Sequence, residues 1–329
     1  MAPVNLSFAC WDYDRTRALQ DGRVNPEGIE LTYLVLPVEE TFYRQLRHHE
    51  FDVSEMSLSS YLLTLSQPDP PFVALPVFPS RSFRHQSIYV NTANGISEPG
   101  DLAGKRVGTP EFQLTAGVWQ RGILSDEYGV PAESAHYFTG AVEQSRRPEK
   151  LALNLPDRFH VTPIGDDQNL SEMLATGEID AIYSAGEPTC LRTSPDVGRL
   201  FENFREVEQA YFRRTRIFPI MHVVALKREI HERHPWIARS LYKAFEEARR
   251  LAYADLWHSN ALKVMLPWLQ DHLRQTVDDL GADYWTYGLE PNRHVLETFV
   301  RYSHEQGLAD RRWAPEDILL SQAGDEFRL

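Results

Sequence analysis

Cysteine is nearly absent from this chain: 329 residues include only Cys10 and Cys190. Two cysteines make no disulfide framework, and neither belongs to a CxxC pair that would point to zinc or thiol redox chemistry. Both are expected to be reduced packing residues. Positive charge is also in short supply. Lys plus Arg number 34 against 47 Asp plus Glu, a net charge of −13, which argues against general attraction to phosphate backbones or anionic lipid. No apolar run approaches the roughly 18 residues that span a membrane. The start, Met1-Ala-Pro-Val-Asn-Leu-Ser-Phe-Ala-Cys10, has neither a basic leader nor an unbroken apolar stretch, so a cytoplasmic location is expected. No GxGxxG, GxxxxGK[ST] or GxSxG is found, which disfavours nucleotide cofactors and a serine-hydrolase mechanism.

What is present is an ordinary globular composition, 42% hydrophobic and 25% charged, in a chain long enough for about two domains. Strands are expected at 4–9, 29–36 and 51–56, with a helix over 38–48 and another at 61–65 capped by Ser57 to Ser60. Pro68, Pro70, Pro71, Pro76 and Pro79 read as punctuation before a short strand at 87–91. The order then recurs: a strand at 106–108, a helix from Thr115 to Tyr128 ended by Gly129, strands at 135–138 and 160–163, a helix at 170–175 and a strand at 180–184. Leu46-Arg-His-His-Glu-Phe-Asp52-Val and Leu174-Ala-Thr-Gly-Glu-Ile-Asp180-Ala each place helix, tight turn, acidic residue and strand in sequence. Two similar α/β lobes follow from this repeat, with substantially parallel sheets. After a strand at 221–226 the text is mainly helical, at 234–254, 260–271, 274–281 and 293–305. The expected division is 1–90 plus 222–329 in one lobe and 91–221 in the other.

In such folds ligands bind beyond the carboxyl ends of strands, and the residues there are the candidates. Arginine clusters stand out in an acidic chain: Arg81/Arg84 with His85, Lys105/Arg106, Arg146/Arg147 and Arg213/Arg214/Arg216. Arginine grips carboxylates with two parallel donors, although each cluster also reads as solvated surface or internal ion pairs. Gly108-Thr109-Pro110-Glu111-Phe-Gln113-Leu-Thr115 joins a strand to a long helix, where free N–H groups and the helix dipole favour an anion; the alternative is plain capping. Ser57 holds the equivalent place in the first lobe. His222, on the strand at 221–226, is either a proton-transfer group or a hydrogen-bonded core histidine. Glu187 either faces the cleft or sits in a loop. His48/His49 and His231/His234, on polar helix ends, carry little sign of metal binding.

The stretches Phe51–Tyr61, Phe78–Asn91, Gly104–Ala116 and Ile217–Val224, with Glu232–Trp236 and Glu305–Leu308, together resemble the 4,5-dihydroxyphthalate decarboxylase family over nearly the whole length. The resemblance implies a two-lobed type 2 periplasmic-binding-protein-like α/β fold with two crossover strands and a central cleft. It also implies a carboxy-lyase acting on a hydroxylated aromatic acid, 4,5-dihydroxyphthalate or a close analogue; a phenolate can supply the electrons for loss of CO2, so no redox cofactor is needed and none is expected. This chain departs from the family pattern at Gly186-Glu187-Pro188, where the family has Arg-Ala-Pro, and at Gly140-Ala141 and Gln144-Ser145-Arg146. Loss of an arginine weakens the grip on a second carboxylate and leaves the exact substrate open. On this reading His222, His85 and Glu111 are catalytic, and Ser57, Arg81, Arg84, Arg106, Thr109, Gln113 and Glu187 bind substrate. A metal-assisted variant using His85, His222 and Glu187 is a weaker form of the same idea. The alternative is a non-catalytic solute-binding protein for an anionic aromatic acid, since the fold is shared. The expected partner is a small aromatic carboxylate, with neither nucleic acid nor membrane involved; the sequence leaves self-association open.

Overall fold

The computed structural model describes residues 2–143 and 150–320; Arg146 and Arg147 lie outside the described residues. The chain forms two compact units. One contains the residues up to Arg81, Ile220–Glu297 and the segment from Trp313; the other contains Ser82–Pro219 and Thr298–Arg312. The boundary expected after residue 90 therefore moves back to Arg81, because the strand at Ile88–Asn91 is hydrogen bonded into the second unit's sheet. Residues 298–312 also change sides, since Phe299 and Tyr302 pack on the fully buried Trp119.

In the first unit the elements are β1 (Val4–Cys10), α1 (Asp14–Gln20), β2 (Ile29–Val35), α2 (Val38–His48), β3 (Val53–Ser57), α3 (Leu58–Leu65) and β4 (Phe72–Arg81). The second unit follows with β5 (Ile88–Asn91), β6 (Arg106–Thr109), α4 (Thr115–Tyr128), β7 (His136–Thr139), β8 (His160–Pro163), α5 (Leu170–Ala175), β9 (Ala181–Tyr183), α6 (Cys190–Thr193), β10 (Val197–Arg199) and α7 (Phe204–Thr215). Then come β11 (Ile220–Lys227), α8 (Arg228–Arg233), α9 (Trp236–Leu256), α10 (Leu269–Leu280), α11 (Arg293–Glu305) and α12 (Pro315–Ile318).

The first sheet has the order β2-β1-β3-β11-β4 and the second β10-β5-β9-β6-β7-β8. In each, a first strand is flanked by two parallel partners, β2 and β3 around β1, β7 and β9 around β6. An antiparallel strand joins beyond, β11 on β3 and β5 on β9. The sequence repeat falls at equivalent places, and its acidic residues do equivalent work. Asp52 accepts the Ser7 N–H at 2.9 Å, tying the start of β3 to β1. Asp180 accepts the Arg106 N–H at 2.8 Å, tying the start of β9 to β6.

Two features run against local expectation. The proline-rich text at 72–81 is a ten-residue strand, β4. Proline is tolerated there because β4 is an edge strand whose pairing with β11 is interrupted by register shifts around His222. The helix expected over 260–271 does not form: residues 260–268 are irregular and α10 starts only after Pro267. A proline inside a helix lacks an N–H donor and collides with the carbonyl of the preceding turn.

The cores are built conventionally. On α2 the buried Phe42 and Leu46 form one face, and on β1 Phe8 meets Phe245 of α9 edge-on at 5.3 Å. In the second unit Leu170, Leu174, Ile179 and Ile182 close over the sheet. Gly122, in the middle of α4, is required by packing, because a Cβ there would enter the ring of Tyr302. Alanine in place of a helical glycine ordinarily gains about 1 kcal/mol, but overpacking a filled core costs about 1–3 kcal/mol. The ring is held by its hydroxyl on Asp126 at 2.7 Å and cannot swing aside, so Gly122→Ala is expected to lower stability by up to about 2 kcal/mol, read as a lower urea midpoint at unchanged slope.

Candidate active site

In the first unit, the carboxyl ends of β1 and β3 bring together Cys10, Trp11, Tyr13, Glu55 and Ser57, and antiparallel β11 places His222 opposite Ser57. Glu55 is fully buried. One of its carboxylate oxygens, Oε1, accepts the Tyr13 hydroxyl and sits against His222 Nδ1, both at 2.6 Å. Its other oxygen accepts the Trp11 N–H at 3.1 Å and lies 3.5 Å from Cys10 Sγ. Burial alone pushes this carboxyl up. The charge of His222, the hydrogen bond to it, and those from Tyr13 and Trp11 overturn that, and the group lies below its usual range. Burial and then the Glu55 charge raise the Tyr13 phenol, so it stays protonated and donates. The same two causes keep Cys10 a thiol.

His222 is held edge-on by Phe42 with ring centroids 4.9 Å apart, and its side chain is 16% exposed. Among the described residues its Nε2 makes no hydrogen bond, so one nitrogen is fixed and the other is open to a ligand. Trp11, whose N–H donates to the same Glu55, is 42% exposed. Ser57 is the N-cap of α3 and accepts the Ser60 N–H at 3.4 Å, so the capping role is real and its position beside His222 is additional. The Arg81 guanidinium is buried and donates to the Thr286 carbonyl at 2.7 Å and to Asn292 Oδ1, anchoring the loop before α11. Burial lowers its pKa to about 9, which still leaves it charged at neutral pH.

In the second unit, β6 ends at Thr109, whose hydroxyl donates to the Glu111 carbonyl at 3.2 Å. Glu111 pairs with Lys150 at 2.6 Å, both side chains largely buried. Gln113 is fully buried, and neither atom of its amide has a partner among the described residues. Behind this turn lies Arg121 of α4, also buried, donating to Gln306 at 2.7 Å and to the Phe112 carbonyl at 2.6 Å. Burial brings its pKa down to about 10. A protonated arginine with no carboxylate partner among the described residues, beneath the N-terminal end of a 14-residue helix, makes the Thr109–Thr115 turn electropositive.

Four other expected site residues of this unit have internal duties. Arg106 forks onto Asp180 at 2.7 and 3.0 Å, at the amino end of β6, the end opposite Thr109. Arg84 is buried in the field of Glu208, which accepts the Gln86 N–H at 2.9 Å; burial pushes Glu208 up to about 7. His85 is 1% exposed, enclosed by Tyr128, Phe201 and Tyr211 with both ring nitrogens unpartnered among the described residues. Burial, then Arg214, lowers its pKa to about 4, which favours the neutral ring at pH 7. Glu187 is engaged by Arg192 and Arg199 at 2.8 and 2.5 Å. Among the described residues no group of three or more His, Cys, Asp or Glu is placed to hold a metal ion, and none has a helix long and apolar enough to cross a membrane.

The residues that sequence reasoning missed are Trp11, Tyr13 and Glu55 in the first unit and Lys150 and Arg121 in the second. Trp11-Asp-Tyr13 at the end of a strand was a local signal for a ligand edge. Nothing local marked Glu55, an acidic residue inside a buried strand.

No family model matches the chain. It is 38% identical over 330 residues to the 4,5-dihydroxyphthalate decarboxylase of Comamonas testosteroni, covering all of both chains. It is 39% identical over 214 residues to the 4,5-dihydroxyphthalate decarboxylase of Pseudomonas putida, spanning 65% of this chain and 83% of that protein. Among solved structures, the periplasmic aliphatic sulphonate binding protein of Escherichia coli superposes with a TM-score of 0.54 at 12% identity, covering 99% and 97% of the two chains. The alkanesulfonate-binding protein of Xanthomonas axonopodis gives 0.52 at 11%, covering 97% and 99%. These two establish the periplasmic-binding-protein fold and nothing further. Full-length identity to the Comamonas protein goes beyond fold: the chain belongs to the 4,5-dihydroxyphthalate decarboxylase family.

Proposed function

We propose that the protein is a carboxy-lyase that removes CO2 from 4,5-dihydroxyphthalate or a close hydroxylated analogue, with His222 delivering the proton to the ring carbon. The observation that carries this is the His222 ring, fixed through Nδ1 by a buried carboxylate and open at Nε2, in a chain of this family. Decarboxylation of an aromatic acid needs a proton placed on the carbon that bears the carboxylate. A phenolate para to that carbon supplies electrons to the ring as Nε2–H protonates it. The bond to the carboxylate then breaks, its electron pair restores the aromatic ring, and neutral CO2 departs. One C–H bond forms, one C–C bond breaks, and His222 regains its proton from solvent. No net electrons move, so the step needs no redox partner.

The exposed indole of Trp11 offers a stacking face for the substrate ring. In the second unit, the Thr109–Thr115 turn is an anion-binding candidate in its own right, with the Gln113 amide unpartnered among the described residues. Burying an amide without partners costs about 1–3 kcal/mol. Gln113→Leu is therefore expected to raise the unfolding free energy by about 1 kcal/mol, read as a higher urea midpoint at unchanged slope. Incubation of the protein with 4,5-dihydroxyphthalate and a panel of hydroxybenzoates, followed by mass spectrometry, tests the reaction itself. Products lacking one CO2 are expected; saturable binding of these acids with no CO2 released from any of them would make the protein a binding protein instead.

A further inference from the structure

Glu55 is placed as a buried acid that merely fills a strand would not be. It lies on β3, hydrogen bonded on either side to β1 and β11, so its backbone has no freedom to shift. Its carboxylate meets Tyr13, His222, Trp11 and Cys10, leaving no lone pair directed at empty space. A carboxylate only accepts hydrogen bonds, so the His222 nitrogen 2.6 Å away must carry a hydrogen. The proton that can be exchanged is then the one at Nε2. The Tyr13 hydroxyl, on the same carboxylate oxygen, prevents that oxygen from rotating away from the imidazole.

We propose that Glu55 is the positioning residue of the reaction: with Tyr13 it holds His222 in the form protonated at Nδ1 and directs Nε2 to the substrate carbon. This rests on His222 being the proton donor. The arrangement follows the general logic by which a buried carboxylate behind a catalytic histidine selects the tautomer and supports the imidazolium. Tyr13 is the part that the sequence would never suggest, because its role exists only through a shared oxygen.

The test compares Glu55→Gln, Tyr13→Phe and His222→Asn in the full-length protein, each checked for native circular dichroism. Glutamine removes the charge and can offer Nδ1 either a donor or an acceptor. Glu55→Gln is expected to lower kcat about 10- to 1000-fold with KM changed by less than about threefold. The donor is the imidazolium, and in ¹⁵N spectra recorded at alkaline pH, where the ring is neutral, the wild-type His222 signal is expected to be of the Nδ1–H form and that of the glutamine variant a mixture of tautomers. If Glu55→Gln does not fold, Tyr13→Phe carries the test: kcat is expected to fall about three- to tenfold with KM changed by less than about threefold, and the Nδ1–H signal is kept because the carboxylate is still there. Wild-type kcat in whichever variant folds, alongside an inactive His222→Asn, would overturn the positioning role while leaving His222 as donor. A fully active His222→Asn would instead overturn the donor assignment.

Discussion

His222→Asn is expected to lower kcat by about 10² to 10⁴, the range by which a positioned general acid accelerates a reaction, while the affinity for an unreactive substrate analogue changes by much less. Protonation of the ring carbon occurs only along the reaction path, so its loss falls on the transition state and not on the ground-state complex. Asparagine is chosen because its side-chain amide can still donate a hydrogen bond to Glu55 and does not leave that buried carboxylate facing a void. Steady-state CO2 release, set beside calorimetric binding of an analogue that cannot lose CO2, provides the measurement. Equal losses in kcat and affinity would mean that His222 binds substrate and some other group supplies the proton.

His85→Phe should have the opposite character: turnover at pH 7 is retained and resistance to acid increases. The histidine has an ordinary pKa of 6.5 and, in the fold, one near 4 because its ring is buried among Tyr128, Phe201 and Tyr211. Between those values the unfolded chain carries a proton that the folded chain refuses. Stability that is fully present above pH 6.5 is therefore lost as pH falls towards 4, by about 3 kcal/mol from this one residue. Phenylalanine is similar in size, keeps the aromatic edges, and cannot take up a proton. Urea unfolding at pH 7.5 and at pH 4.5 should show that the difference between the two conditions shrinks by about 2–3 kcal/mol in the variant. An identical acid loss in both proteins would show that the ring is solvated, and a collapse of kcat would return His85 to the catalytic machinery.

Much of the fold is legible in short segments of the sequence. The bounds of α2, α4, α5 and α11 agree with the text at 38–48, 115–128, 170–175 and 293–305, because apolar periodicity, caps and a left-handed glycine such as Gly129 are short-range signals. The repeat around Asp52 and Asp180, the α/β class and the family resemblance were likewise carried by neighbouring residues. Strand β4 was not, since whether prolines are allowed depends on which edge of the sheet a segment occupies, a property of the whole topology. The same limit governs the site. Arg81, Arg84 and His85 stand close together in sequence as an apparent anion grip, yet each is turned into the interior of its own unit by partners far along the chain: Asn292 for Arg81, Glu208 for Arg84, Phe201 and Tyr211 for His85. The class of chemistry came from the family resemblance of short motifs, and local pattern put His222 near the start of a strand. Only the folded structure decided that Glu55, 167 residues away, would stand behind it, because hydrogen bonds across a sheet are set by strand order and register, which adjacent residues do not encode.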